Sequence, residues 1–309
     1  ACECFATTNL VVIGGEITTN AKVDYEAVAR NVLKEIGYDD EAKGMDYKTC
    51  KIEVVMDSQS SDIALGTNEE VGGAGDQGIM FGYACDENDE YMPLTIYYAH
   101  LLARQLTKVR RQHPDLLKPD GKTQVSVEYE NDEIKRIDTI VVSTQHSANV
   151  TQEEIKELIM NEVIKPCIDE KYLDENTKYF INPSGSFVVG GSWGDSGTTG
   201  RKIVCDTYGG RGRIGGGCFS SKDPTKVDRS AAYYSRYVAK NIVANGLARR
   251  CEVEVAYAIG KAQPVSLCVD TFGTGKFDDE KLLEIVKKNF NFEVGNIISE
   301  LDLRKPVYH

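Results

Sequence analysis

One stretch of the chain combines glycines with cationic side chains: residues 209–226 read GGRGRIGGGCFSSKDPTK. The backbone N–H groups of the glycines at 215–217 and the side chains of Lys222 and Lys226 would suit a polyphosphate, because clustered N–H and ammonium groups bind anions. The stretch is not a P-loop of the Gly-x4-Gly-Lys-Ser/Thr kind, since Ser221 precedes Lys222 and an aspartate follows it. The alternative stays open that the glycines shape a hairpin and the lysines are merely solvated.

Basic residues are concentrated around this stretch, although the whole chain is acidic, with a formal net charge of −12. Residues 201–229 hold seven basic and three acidic side chains, beginning with the pair Arg201 and Lys202. A helix pattern that starts near Lys226 would add the positive end of its dipole. The overall acidity argues against general nucleic-acid binding. It leaves one local basic pocket.

Two loops share the pattern Gly-Asp-x-Gly, at 75–78 and at 194–197. Flanking glycines let the backbone approach a ligand, and they leave Asp76 and Asp195 free to face a metal, a ribose or an amine. The alternative is that each aspartate stabilises a tight turn. The repetition of the pattern in corresponding loops supports the ligand interpretation, and the turn interpretation stays open beside it.

Composition bounds the class of protein. A chain of 309 residues is long enough for two or three domains, since single cores seldom exceed about 250–300 residues. It has no apolar run long enough to span a membrane, and its first residues lack the basic segment followed by an apolar segment that is typical of a signal peptide. These features predict a cytoplasmic protein without a membrane partner. Nine cysteines without a Cys-x-x-Cys pair indicate neither a disulfide framework nor a zinc site.

The elements that must position these loops recur along the chain. Alternating apolar residues at 124–129 and at 252–257 predict two hairpins, each preceded and followed by an amphipathic helix pattern. Thr151 and Asp278 are the candidate N-caps of the helices that follow the hairpins. Repeated hairpins backed by helices predict an α+β fold with internal pseudo-symmetry.

A third, shorter copy of the unit opens the chain. It consists of a strand that begins near Leu10, a helix over 24–36 and a second strand that begins at Lys51. We expect Val28, Leu33 and Ile36 to face inward from this helix.

Four motifs together resemble those of the S-adenosylmethionine synthetases, also called methionine adenosyltransferases. They are GAGDQGIMFGYA at 73–84, KPDGKTQV at 118–125, GDSGTTGRKIVCDTYGG at 194–210 and GGGCFSSKDPTKVDRSAAY at 215–233. The resemblance implies three βαβ-type domains related by a pseudo-threefold axis, here 1–62, 71–190 and 191–309. It also implies a homodimer or a dimer of dimers whose active sites are shared between subunits.

The activity that the resemblance implies joins ATP to L-methionine. The methionine sulfur attacks C5′ of the ribose, tripolyphosphate leaves, and it is then hydrolysed to phosphate and pyrophosphate. Mg²⁺ and K⁺ are the implied cofactors. A leaving group of this charge must be held by cations, because negative charge accumulates on the bridging oxygen as the C5′–O bond breaks.

The resemblance also assigns residues. The implied catalytic cations are Lys122, Lys202 and Lys222. The implied ATP-binding residues are Asp120, Gly121, Lys122, Ser186, Phe187, Asp195, Arg201, Lys202, Cys218 and Lys222. The implied methionine-binding residues are Glu16, Gln59, Asp195 and Lys226. Glu3 matches the family's potassium-site glutamate, and Asp76 and Asp228 are the expected carboxylates near a metal or the substrate amine.

The chain also departs from the family pattern. Neither the family's His-Pro-Asp-Lys segment nor its Ala-Tyr-Gly-His-Phe-Gly region has a counterpart between Ala1 and His309, so both ends are expected to be truncated. Ser186 stands where the family usually has arginine, Cys218 where it has alanine and Ser221 where it has glycine. The alternative function is therefore a degenerate relative that binds ATP, or pairs with an active subunit, without catalysis.

Overall fold

The structure, a computed structural model, describes residues 1–58 and 72–308. The strands are β1 (Cys2–Thr7), β2 (Leu10–Glu16), β3 (Asp39–Asp40), β4 (Met45–Asp46), β5 (Lys51–Asp57), β6 (Gly78–Cys85), β7 (Leu117–Glu130), β8 (Glu133–His146), β9 (Lys178–Ile181), β10 (Gly197–Thr198), β11 (Arg250–Tyr257) and β12 (Ser266–Asp270). The helices are α1 (Tyr25–Ile36), α2 (Leu94–Gln112), α3 (Gln152–Leu158), α4 (Lys165–Cys167), α5 (Ile203–Asp206), α6 (Val227–Ala244), α7 (Asp279–Asn289) and α8 (Val294–Glu300). A π-helical segment, Ile159–Ile164, joins α3 to α4, and single 3-10 turns occur at Glu41–Lys43, Glu170–Tyr172 and Gly191–Trp193.

The first sheet has the order β10-β1-β2-β5 and is covered by α1. Strands β1 and β2 are antiparallel, whereas β2 and β5 are parallel, so Glu16 and Asp57 end the two strands side by side. Asp24 caps α1 by accepting a hydrogen bond from the N–H of Ala27. The expected strand–helix–strand unit at the start of the chain is confirmed.

The inward face predicted for α1 is only partly right. Leu33 packs against the first sheet together with Tyr25 and Ala29. Val28 and Ile36, by contrast, are 54% and 37% exposed. The reason is that α1 carries two neighbouring apolar stripes, and the sheet covers only the one spaced at 25, 29 and 33.

The second sheet has the order β7-β8-β9 and confirms the first predicted hairpin. Strands β7 and β8 pair along nearly their whole length, and both residues of the connecting turn, Asn131 and Asp132, have positive φ angles of 52° and 63°. Two-residue turns of this kind match the twist of a hairpin. The helices α2 and α3 and the π-helical segment pack on this sheet around the buried Ile137, Ile140 and Val142.

The third sheet has the order β12-β11-β6 and contains the second predicted hairpin, β11 with β12. The core between this sheet and α6, α7 and α8 is the largest in the described part of the chain. Its edge strand β6 comes before all strands of the second sheet in sequence and pairs with β11. Strand β10 comes after the second sheet in sequence and pairs with β1, which extends the first sheet. The division into 1–62, 71–190 and 191–309 stays a prediction. The packing of β6 and β10 interleaves these segments, which brings the loops before β6 and before α6 together.

The mixed arrangement of helices and sheets bears out the predicted α+β class. Both predicted N-caps are also present: Thr151 accepts from the N–H of Glu154, and Asp278 accepts from the N–H of Lys281. Over the part of the chain that the structure describes, no helix is both long and apolar enough to cross a membrane.

The capping box at Thr151 yields a stability prediction. Its hydroxyl accepts from the N–H of Glu154, whose carboxylate in turn accepts from the N–H of Thr151. We expect Thr151→Ala to lower the free energy of unfolding by about 1 kcal/mol, measured by urea denaturation. Thr151→Ser keeps the hydroxyl and serves as the matched control. An equal loss in both variants would contradict the capping role.

Candidate functional site

The glycine-rich loop before α6 folds against the first turn of that helix. A Cβ on Gly217 would lie 2.2 Å from Cγ of Asp228, so only glycine fits this approach. Beyond the glycines, Nζ of Lys222 donates to Oδ2 of Asp228 at 2.5 Å, and the two side chains are only 18% and 17% exposed. Two of the predicted site residues are therefore joined in a largely desolvated ion pair.

Lys226 lies on the same loop beside the first Gly-Asp-x-Gly copy. The N–H of Gly75 donates to the carbonyl of Thr225 at 3.0 Å, which fixes the loop of Asp76 next to Lys226. The carboxylate of Asp76 accepts from the N–H of Gln77 at 2.8 Å and is otherwise exposed. A turn-stabilising role is thus observed, and the exposed side of the carboxylate leaves a ligand role open.

Asp223 forms an ion pair with Lys226, in which Nζ of Lys226 lies 3.4 Å from Oδ2 of Asp223. Burial raises the pKa of Asp223, but hydrogen bonds from the hydroxyl and N–H of Thr225, together with the charge of Lys226, outweigh burial and leave the pKa below its ordinary value. Both lysines of the loop therefore have acidic partners in the structure.

The second Gly-Asp-x-Gly copy leads into the pair Arg201 and Lys202. Gly197 and Thr198 pair with β1, and the N–H of Thr199 donates to the carbonyl of Cys4. Gly200 then packs on Cys218, since a Cβ at Gly200 would lie 2.8 Å from the cysteine Sγ. Arg201 and Lys202 thus emerge beside the glycine-rich loop. Both are exposed, and neither has an ion-pair partner within residues 1–58 and 72–308.

The candidate site has two walls. The first is the glycine-rich loop before α6, and the second consists of the residues around Asp120. Its Oδ2 accepts from the N–H of Gly191 at 2.8 Å, in the loop that continues to the exposed Asp195. Phe187 reaches the same place, because its ring and Asp120 both border Gly190. The structure thus brings together three of the predicted ATP-binding residues.

Three further predicted residues flank this wall. Gly121 and Lys122 follow Asp120 on β7, where they pair with Thr144 and Ser143 of β8. Lys122 is exposed and has no ion-pair partner among the described residues. Ser186 is exposed immediately before Phe187.

His146 also supports this wall. The N–H of Phe187 donates to Nε2 of His146 at 3.0 Å, while Nδ1 of the ring lies 2.9 Å from the carbonyl of Ser147. In the sequence, only its place after a predicted strand suggested such a role.

The remaining predicted residues lie on the first sheet. Glu16 is exposed at the end of β2, beside the end of β5, whereas Gln59 lies outside the described residues. Glu3 of β1 faces the glycine-rich loop, since its Oε1 accepts from Oγ of Ser221 at 3.5 Å and the adjacent N–H of Cys2 donates to the carbonyl of Ser221 at 3.0 Å. The potassium-site candidate therefore lies next to Lys222 in the fold.

Comparisons with known proteins match the chain along its whole length. Family models for the N-terminal, central and C-terminal domains of S-adenosylmethionine synthetase match residues 1–61, 71–187 and 189–309. An S-adenosylmethionine synthase of Desulfosudis oleivorans is 56% identical over 314 residues, which cover 100% of this chain and 81% of the relative. The chain belongs to the S-adenosylmethionine synthetase family. A synthase of Clostridium botulinum is 55% identical over 321 residues, covering 100% of this chain and 82% of the relative.

Family membership confirms the resemblance seen in the motifs and the expectation of an enzyme. The α+β class, with three domains of this family in sequence, is likewise confirmed.

Two arginines of the basic stretch already have acidic partners in this member of the S-adenosylmethionine synthetase family. Arg211 stacks over the ring of Tyr129, 4.5 Å from its centroid, and forms an ion pair with Asp132. Arg213 lies 3.3 Å from Glu252, whose pKa is raised by burial.

Among the described residues, the candidate site offers few carboxylate ligands for a metal ion. In the described ranges, no three His, Cys, Asp or Glu side chains converge as a metal site. Mg²⁺ in nucleotide sites commonly uses one or two carboxylates and completes its shell with phosphate oxygens and water. Asp228 on the loop wall matches that donor chemistry.

The backbone of Ser221 is strained, and a substitution can test this strain. It has a φ of 77°, a conformation that costs a side-chain-bearing residue free energy and that glycine adopts freely. We expect Ser221→Gly to raise the free energy of unfolding by roughly 0.5–1 kcal/mol, measured by urea denaturation.

Ser220→Gly is the matched control for this substitution, because Ser220 is not among the residues with positive φ. It should be neutral or destabilising. A gain at Ser220 that equals the gain at Ser221 would remove the explanation by backbone strain.

Proposed function

We propose that this chain is a methionine adenosyltransferase that forms S-adenosylmethionine from ATP and L-methionine. Family membership supports the reaction class. The observation that carries the proposal is the packing of Gly200 on Cys218, because it sets the exposed cations Arg201 and Lys202 beside the loop of Lys222. Three cationic side chains on two adjoining loops suit a triphosphate.

In the proposed reaction, a lone pair of the methionine sulfur forms the new bond to C5′ of ATP. The C5′–O bond breaks, and its electron pair goes to the bridging oxygen of tripolyphosphate. No proton is transferred in this step, so the protein's task is to position the reactants and to stabilise the developing charge. Lys222, Arg201 and Lys202 do this in the proposed mechanism.

ATP is proposed to lie between the two walls of the site. Asp120 and Phe187 hold the nucleoside side, with Gly121 and Ser186 at its edge, and Lys122 reaches the phosphates from β7. Cys218 lies under the phosphate end, against Gly200. The second step cleaves the bound tripolyphosphate with water to phosphate and pyrophosphate, and the same cations hold it.

L-methionine is proposed to bind where the first sheet meets the lysine loop. The carboxylate of Glu16 pairs with the substrate's ammonium group, and Lys226 with its carboxylate, because each is the oppositely charged partner. Asp195 and Gln59 complete this end of the site. Asp76, next to the chain segment of Lys226, faces the same region.

The proposed cofactors are Mg²⁺ and K⁺. Asp228, and Asp76 across the loop, would hold Mg²⁺, while Glu3 would hold K⁺ with neighbouring oxygens. When bound, these cations neutralise part of the phosphate charge. The proposed assembly is a homodimer or a dimer of dimers with shared active sites.

A second candidate function is ATP binding without turnover. Ser186 in place of the family's arginine favours it, because Arg211 and Arg213 are engaged elsewhere. One assay separates the two functions: the chain is incubated with ATP, L-methionine, Mg²⁺ and K⁺, and S-adenosylmethionine, phosphate and pyrophosphate are measured by chromatography. We expect all three products. ATP binding without any of them would establish the second function.

Lys222 is the sharpest single test of the mechanism. Removal of its ammonium group by Lys222→Ala should lower turnover about 10- to 100-fold, as for a lost charged hydrogen bond, with the fold intact by circular dichroism.

Lys108→Ala removes an exposed lysine from α2 and serves as the matched control, with turnover expected within twofold of the parent. Unchanged turnover in Lys222→Ala would exclude this lysine from the mechanism.

A further inference from the structure

Both the backbone and the side chain of Lys222 are held by hydrogen bonds. Nη1 of Arg229 donates to the carbonyl oxygen of Lys222 at 2.6 Å. Arg229 follows Asp228 in the first turn of α6, and Asp228 holds the ammonium group of the same lysine. Two consecutive residues of one helix thus bind the two ends of Lys222.

Arg229 is itself held by aromatic rings. Its guanidinium carbon lies 3.7 Å from the ring centroid of Tyr308 and 5.9 Å from that of Tyr233. Its Nε lies 3.3 Å from the hydroxyl oxygen of Tyr233, and Tyr308 is tied down by a hydrogen bond from its hydroxyl to the carbonyl of Leu303. Stacking and hydrogen bonding restrict the planar group to one orientation.

The opposite side of the loop has a second anchor. The N–H of Cys2 holds the carbonyl of Ser221, and Ser221 itself has the left-handed φ of 77°. A strained residue persists only when its surroundings fix it. Arg229 and Cys2 supply that constraint, from α6 and from β1, on adjacent carbonyls.

We propose that Arg229 is a positioning residue for Lys222: it holds the backbone of this lysine so that the ammonium group, paired with Asp228, stays at the proposed phosphate site. The proposal rests on the proposed role of Lys222 in binding tripolyphosphate. Arg229 does not contact the substrate in this scheme, because its guanidinium is engaged by the Lys222 carbonyl and two rings. Its effect on phosphate binding therefore passes through Lys222.

A double-mutant cycle tests the proposal with inorganic tripolyphosphate as the probe, its affinity measured by titration calorimetry on the full chain. Arg229→Ala should weaken binding about tenfold, as for a lost hydrogen bond that acts on a charged group. Lys222→Ala should weaken it at least as much. The double variant should bind no more weakly than Lys222→Ala alone. Two losses that multiply, or an unchanged affinity in Lys222→Ala, would overturn the proposal.

Charge and general loosening are separated by three further variants. Arg229→Lys keeps the charge but not the planar group, so a loss close to that of Arg229→Ala supports positioning, and a parental affinity overturns it. Tyr308→Leu removes the stacked ring and should weaken binding about threefold.

Arg236→Ala is the control on the same helix, because Arg236 donates to the carbonyls of Tyr83, Tyr91 and Glu90 instead. It should lower the melting temperature and leave the affinity within twofold. An equal loss of affinity in Arg236→Ala and Arg229→Ala would overturn the proposal.

The outcome for Arg229 is distinguishable from that for the proposed function. Product formation by the parent chain tests the reaction, whereas the binding cycle tests the positioning. A parent that binds tripolyphosphate without forming S-adenosylmethionine would exclude the function and leave the cycle decisive. Product formation with multiplying losses would exclude positioning by Arg229 and leave the function.

Discussion

The ion pair between Lys222 and Asp228 is the contact on which the rest of the site depends. It closes the glycine-rich loop onto the first turn of α6, and it does so with both side chains largely out of water. Neighbouring cations repel one another, and carboxylates placed among them offset that repulsion. Asp228 and Asp223 do this for the two lysines of the loop, while Arg201 and Lys202 remain exposed and are the cations proposed to bind a ligand.

The interleaving of the sheets explains why these loops meet at all. Strand β6 leaves the middle of the chain to pair with β11, and β10 returns to extend the first sheet. One Gly-Asp-x-Gly loop leads directly into each of these two strands. The hydrogen bond between Gly75 and Thr225 and the packing of Gly200 on Cys218 are the local results. Contacts between the sheets therefore bring the candidate site residues together, and no single sheet carries all of them.

Local features were predictable from the sequence because their causes are local. The hairpins follow from alternating residues, and the caps at Thr151 and Asp278 follow from a polar residue before an apolar period. The face of α1 was not predictable, since two stripes compete and only the position of the sheet decides between them. The site residues came from resemblance, and their grouping around Asp120 and Lys222 depends on long-range pairing that no short window encodes. The tie between Arg229 and the Lys222 carbonyl has no sequence signal, because it involves a backbone atom.

The junction of β10 with β1 also constrains the order in which the protein can form. The N–H of Cys4 bonds to the hydroxyl of Thr199, a contact that spans 195 positions. On the ribosome, the first strands emerge long before their last partner is synthesised, so the first sheet cannot gain its fourth strand until most of the chain exists. The β10 junction beside the proposed phosphate site can therefore form only after the core of the second sheet has been synthesised, whereas most of the largest core is synthesised later still.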